Sequence, residues 1–199
     1  MRSARRREAG FSLIEMLTVT AVAAVVLMLV GQLVAGMQRG FATQRAQVEA
    51  IDNARAALDT MVRLLRMAGN NPRGRADVEA VHPDVDGNGL LDSLGLVADW
   101  NPADGDFDDP YENVLFFVSQ GRLRKLEAGD PPEGVEFAPD VEALRMRYFD
   151  TGMGPITDPI ATPGAIAYIE LTLQLRPAVG AARSASVEIT SGAALRGRE

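Results

Sequence analysis

Residues 11–35 read FSLIEMLTVTAVAAVVLMLVGQLVA, a 25-residue run whose one charge is Glu15. About 20 apolar helical residues cross a hydrocarbon core of roughly 30 Å, so the run predicts a spanning helix. Arg2, Arg5, Arg6 and Arg7 precede it. The positive-inside rule therefore expects the head in the cytoplasm and the bulk of the chain beyond the membrane. A secretory signal peptide would carry an apolar region of about 7–15 residues ending in a small-residue cleavage site. This run is longer and passes into Gln38-Arg39 without one. An ordinary single-pass anchor accounts for the length and leaves Glu15 unexplained. A carboxylate costs about 2.5–3.5 kcal/mol at mid-membrane, and less near the interface, so it calls for a partner.

Glu8-Ala9-Gly10 followed by Phe11-Ser12-Leu13-Ile14-Glu15-Met16-Leu17 resembles the class III signal of type IV pilins and pseudopilins. The resemblance implies cleavage after Gly10 by a prepilin peptidase and N-methylation of Phe11. It implies further that Glu15 neutralises the N-terminal amine of a neighbouring subunit during assembly. The physics agrees, because an amine and a carboxylate buried together stabilise each other, whereas either alone is costly. Many major pilins carry a proline in this helix, but here none occurs from Phe11 to Asn71. Gly31, Gly36 and Gly40 offer a looser helix instead, and an uninterrupted one fits equally. Gly36 and Gly40 also have the spacing of a GxxxG helix-packing motif, at the membrane exit.

Residues 41–68 continue as FATQRAQVEAIDNARAALDTMVRLLRMA. Val48, Ile51, Ala54, Leu58, Met61 or Val62, and Leu65 recur every three to four residues, and charges fill the other positions. That pattern predicts an amphipathic helix, stopped at Gly69-Asn70-Asn71-Pro72. Joined to the spanning part it is about 58 residues, roughly 87 Å long. A coiled coil is the alternative, but it needs three or more clean heptads.

Beyond the helix, Asn113–Val118 and Gly121–Leu126 flank Ser119-Gln120 as a predicted hairpin. Val141–Phe149 alternates in character and predicts a strand with one apolar face. Ala165–Arg176 (AIAYIELTLQLR) is the strongest strand pattern, and Ser186–Thr190 a shorter one. One long helix followed by four or five strands is α+β. Residues 53–58 (NARAAL), 65–69 (LRMAG), 112–114 (ENV), 121–123 (GRL), 141–148 (VEALRMRY) and 169–173 (IELTL) resemble the PilW/PulJ group of minor pilins and pseudopilins. The likeness implies the type IV pilin fold: a long N-terminal helix, its first half transmembrane, packed on an antiparallel β-sheet. The expected organisation is a leader at 1–10, a transmembrane half at 11–36 and an amphipathic half at 37–69. An acidic variable loop region at 70–112 and the antiparallel sheet at 113–199 complete it.

Residues 84–92 (DVDGNGLLD) place Asp84, Asp86, Asn88 and Asp92 at alternate positions, with Gly89 at the bend and Leu90 offering its carbonyl. That is the oxygen-rich opening of an EF-hand-like calcium loop. The position of the bidentate Glu is Gly95, so the pattern is incomplete. A second cluster, residues 99–112, brings Asp99, Asp104, Asp106, Asp108 and Glu112 together. Carboxylates this dense repel unless neutralised, and calcium would order the loop. Solvated acidic loops are the alternative. Trp100 and Phe107 offer apolar anchors for the second loop.

Composition sharpens these expectations. The 199 residues carry 20 Lys+Arg, 27 Asp+Glu, one His and no Cys, a net charge of −7. Residues 69–110 alone hold ten acids and two bases. Such a surface disfavours direct nucleic-acid binding. No cysteine excludes a disulfide framework and thiolate zinc. No GxSxG, Walker A, GxGxxG or HExxH motif occurs, and His82, between Val81 and Pro83, is expected in a loop. The chain is therefore expected to be structural, not an enzyme. The resemblance implies a minor pilin in the priming or tip complex of a type IV pilus. Its partners would be other minor and major pilins, the prepilin peptidase/methyltransferase and the inner membrane. The alternatives are a GspJ-like minor pseudopilin of a type II secretion system, and a tip adhesin or DNA-uptake module with calcium-stabilised loops.

Overall fold

The computed structural model describes residues 12–71, 79–85, 87, 89–100, 103–176, 178–179, 182–183 and 186–195, the last two pairs before 186 by backbone alone. Helix α1 runs Leu13–Met67 without interruption. The absence of proline permits this. Gly31, Gly36 and Gly40 all lie inside the helix, with nothing within 4 Å of where a Cβ would stand. The chain divides into two compact units, Met1–Gln44 and Arg45–Glu199.

In the second unit, α1 buries Ala50, Ala54, Ala57, Leu58, Met61, Val62, Leu64 and Leu65. The predicted stripe is shifted at its start: Val48 is 59% exposed and Ala50 is buried. Ala50, Ala54 and Ala57 are buried on this face, small side chains whose place in a close-packed core apolar periodicity alone does not register.

Among the described residues ten strands follow: β1 Val81–His82, β2 Ser93–Val97, β3 Asn113–Ser119, β4 Arg122–Leu126, β5 Val135–Ala138, β6 Val141–Phe149, β7 Tyr168–Leu175, β8 Ala178–Val179, β9 Ala182–Arg183 and β10 Val187–Ala194. A five-stranded sheet is ordered β1-β2-β3-β4-β5 and a three-stranded one β10-β7-β6, with β8 and β9 a separate ribbon. All pairings are antiparallel. Leu94, Leu96, Val114, Phe116 and Leu123 from the first sheet share one core with Leu144, Ile169, Leu171, Leu173 and Leu175 from the second and with the helix face. This is the α+β arrangement expected of the type IV pilin fold.

Several details differ from the sequence expectation. The β3–β4 hairpin turns at Gln120-Gly121, since Ser119 pairs with Arg122. Both turn residues have positive φ, 54° and 73°, which a two-residue turn matched to strand twist requires. In β6 the register shifts between Val141 and Ala143. This bulge puts Val141 and Leu144 both inside, which strict alternation forbids. Pro163–Ala165 forms a 3₁₀ turn, so β7 begins at Tyr168. Segment 70–112, expected as loop, contains β1 and β2. His82 lies in β1, opposite Gly95 and 3.6 Å from Glu79.

Candidate functional site: the helix N-terminus and the acidic loops

Glu15 lies in the first turn of α1. The Ser12 backbone N–H donates to its Oε2 at 3.4 Å. A carboxylate here faces the unsatisfied amides and positive pole of the helix, so it stabilises the start. The Thr18 hydroxyl donates to the Glu15 carbonyl, and that of Thr20 to the carbonyls of Met16 and Leu17. Folding back this way, the hydroxyls satisfy themselves within the helix and leave its flank apolar. From Leu13 to Met37 the large apolar side chains stand 46–91% exposed. The most apolar 18-residue window has a mean hydropathy of 2.5 and none of it is buried. An apolar surface of this extent needs lipid or other helices around it. Gly10 and Phe11 lie outside the described residues.

Residues 5–31 match the family described as the prokaryotic N-terminal methylation motif. The chain carries a type IV prepilin-like signal. The match supports a type IV pilin or pseudopilin role, and with the apolar helix it fits membrane anchoring. It implies a prepilin peptidase as processing enzyme and pilus assembly partners in general. The matched residues end inside the apolar stretch of α1, ahead of the sheets. No match to the chain was found among curated proteins.

The acidic loops have distinct geometries. Asp84 accepts the backbone N–H of Gly87 on Oδ1 at 2.9 Å and that of Gly89 on Oδ2 at 2.8 Å. The φ values of +70° and +81° at these glycines bring both amides around one carboxylate. Asp92 and Leu90 are exposed, and Asp86 and Asn88 lie outside the described residues. In the second loop, the carboxylates of Asp104, Asp106 and Asp109 converge, with oxygens within 4.8 Å of one another. Asp106 and Asp108 each donate a backbone N–H to the aspartate two residues earlier. Asp109 belongs to the acidic run read from the sequence but not to the ligands picked out of it. Its carboxyl is held above the usual range by desolvation, then by the charges of Asp104, Glu112, Asp106 and Asp108.

Asp99 and Glu112 sit at the neck of this loop and are not part of the exposed trio. The Ala98 N–H donates to the Glu112 carbonyl, and the Trp100 N–H to Glu112 Oε1. Glu112 is fully buried and acts as a backbone anchor. Asp99 is 1% exposed, and among the described residues neither of its carboxylate oxygens has a hydrogen-bond partner. Trp100 is 36% exposed. Tyr111 also ties the loop down: its ring lies under Lys125 Nζ at 4.7 Å and its N–H donates to Glu127. Lys125 in turn pairs with Glu127.

Proposed function

We propose that this chain is a minor pilin that takes part in type IV pilus assembly, in the priming or tip complex. It is made as a prepilin, cut after Gly10 and N-methylated at Phe11. One observation carries the reading: Glu15, within the methylation motif, is the one charge in the exposed, apolar stretch of α1 from Leu13 to Val34. In the membrane, with the arginine-rich head cytoplasmic and the sheets periplasmic, that carboxylate has no aqueous counter-charge. A neighbour's methylated amine supplies it, so two costly buried charges become one tolerable pair. Removing residues 1–10 takes away four Arg and one Glu, which lowers the net charge from −7 to −10. The role is to pack and polymerise, with no catalysis.

Intact-mass and N-terminal analysis of the membrane-extracted protein tests this. The expected species begins at Phe11 and bears one extra methyl group. An uncut chain, or a cut elsewhere, overturns the proposal. The second reading, a GspJ-like pseudopilin, is separated by a knockout scored for piliation and exoprotein release: loss of release with intact pili favours it. The tip-binding reading is scored by ligand capture on purified filaments, and the acidic loops disfavour DNA as that ligand.

Calcium ordering of the acidic loops is part of the proposal. The convergence of three carboxylates at 104, 106 and 109 supports it, as does the backbone wrapped around Asp84. Hard oxygen ligands suit calcium over softer metals.

A further inference from the structure

We propose that the outer face of the five-stranded sheet carries a docking groove for a partner-protein segment with large apolar side chains flanked by Arg or Lys. The groove encloses about 390 Å³ and is lined by Val85, Leu115, Phe117, Leu126 and Pro132, with Asp92 among them as the charged residue. Register sets its floor. Leu115 pairs with Leu126, and Phe117 lies two residues along β3, so all three project away from the buried Val114, Phe116 and Leu123. The solvent face of an antiparallel sheet is ordinarily polar. Here Leu115, Phe117 and Leu126 make its centre apolar, and all three are only half-buried.

Two glycines shape the walls. Gly95 pairs with Leu115, and a Cβ on it would stand 3.0 Å from Val85 Cγ2, so the bare backbone is what lets Val85 lie on the sheet. Gly134 has a φ of +71°, and a Cβ there would meet the Lys125 carbonyl at 2.9 Å and the Phe117 ring at 3.2 Å. The loop before β5 therefore closes directly on that ring. Val85 remains 43% exposed.

Charge names the occupant. Asp92 lines the groove and Asp84 immediately precedes its lining residue Val85. The loop between β4 and β5 adds Glu127, Asp130 and Glu133 and no base. Arg124, on this same face, is committed to the carbonyls of Glu133 and Gly134. The field around the groove is thus negative, which repels anionic lipid and nucleic acid and attracts a basic segment. The apolar floor supplies the desolvated centre, and the acidic surround supplies steering and orientation. This inference does not rest on the pilin reading.

The test uses the full-length protein in phosphatidylcholine nanodiscs and three fluorescent decapeptides. One alternates Leu and Phe with Arg, one replaces Arg by Glu, and one replaces Leu and Phe by Ser. The first is expected to bind at least about tenfold more tightly than either of the others. Leu126→Gln should weaken the first peptide about tenfold without altering the Arg/Ser peptide, with folding checked by circular dichroism. Asp92→Asn, at an exposed position, should weaken the first peptide about threefold and flatten its salt dependence. Equal binding of the Leu/Arg and Arg/Ser peptides, or affinities unchanged in Leu126→Gln or in Asp92→Asn, would overturn the proposal.

Discussion

Leu58 and Val48 lie ten residues apart on one helix, and the sequence pattern assigns both to its apolar stripe. In the fold they part company. Leu58 is 2% exposed and Val48 is 59% exposed. Truncating Leu58 to Ala removes buried methyl groups and leaves a cavity among Met61, Leu65 and the sheet residues of the same core. The cost expected for such a site is about 2–5 kcal/mol. Against a total stability of about 5–15 kcal/mol this is severe. In a unit the size of Arg45–Glu199, each kcal/mol moves Tm by roughly 2–4 °C, so Leu58→Ala should melt roughly 4–20 °C lower. Val48→Ala should change Tm by no more than about 2 °C, as a surface truncation does. The assay is thermal melting of the full-length protein in detergent, followed in the β-sheet circular dichroism band. Equal losses from the two variants would refute the assignment of the packing face, and with it the seating of α1 on the sheets.

Gly192→Ala should cost about 1–3 kcal/mol by overpacking, read as a lower denaturant midpoint, because its Cβ would lie 2.6 Å from the Ile169 carbonyl and the Tyr168 hydroxyl. Lys125→Met leaves the poorly exposed Glu127 without its cation and should cost about 1–3 kcal/mol. Limited proteolysis should then cut the 99–112 loop faster than in the wild type. Asp109 has its folded pKa raised above 3.8, so its charge opposes folding at neutral pH and the opposition disappears as pH falls. In calcium-free buffer, Asp109→Asn should therefore raise Tm at pH 7, with the gain vanishing below pH 3.8; a gain that persisted there would point to packing instead. Removing calcium with a chelator should lower Tm, and identical melts with and without it would remove the cation from the proposal.

The sequence alone determined the parts of this protein governed by local, one-dimensional chemistry. The 25-residue run with Glu15 states its own helical character and its need for an apolar surround, lipid or other helices, because burying apolar surface and satisfying backbone groups depend only on what lies along the segment. The strands β3, β6 and β7 announced themselves through apolar residues long enough to cross a sheet. Tertiary structure decided what depends on partners distant in sequence. Residues Ser93–Val97 read as part of an acidic loop, yet they become a strand of which four residues are buried, because β1 and β3 flank it and the helix lies beneath. Asp109 joins Asp104 and Asp106 only because the loop turns back on itself, and Glu112 becomes an anchor because β2 and β3 close its neck. The bulge at Val141 and the exposed Val48 follow the same logic. Periodicity fixes which residues share a face, and the packed neighbour fixes which face is inside.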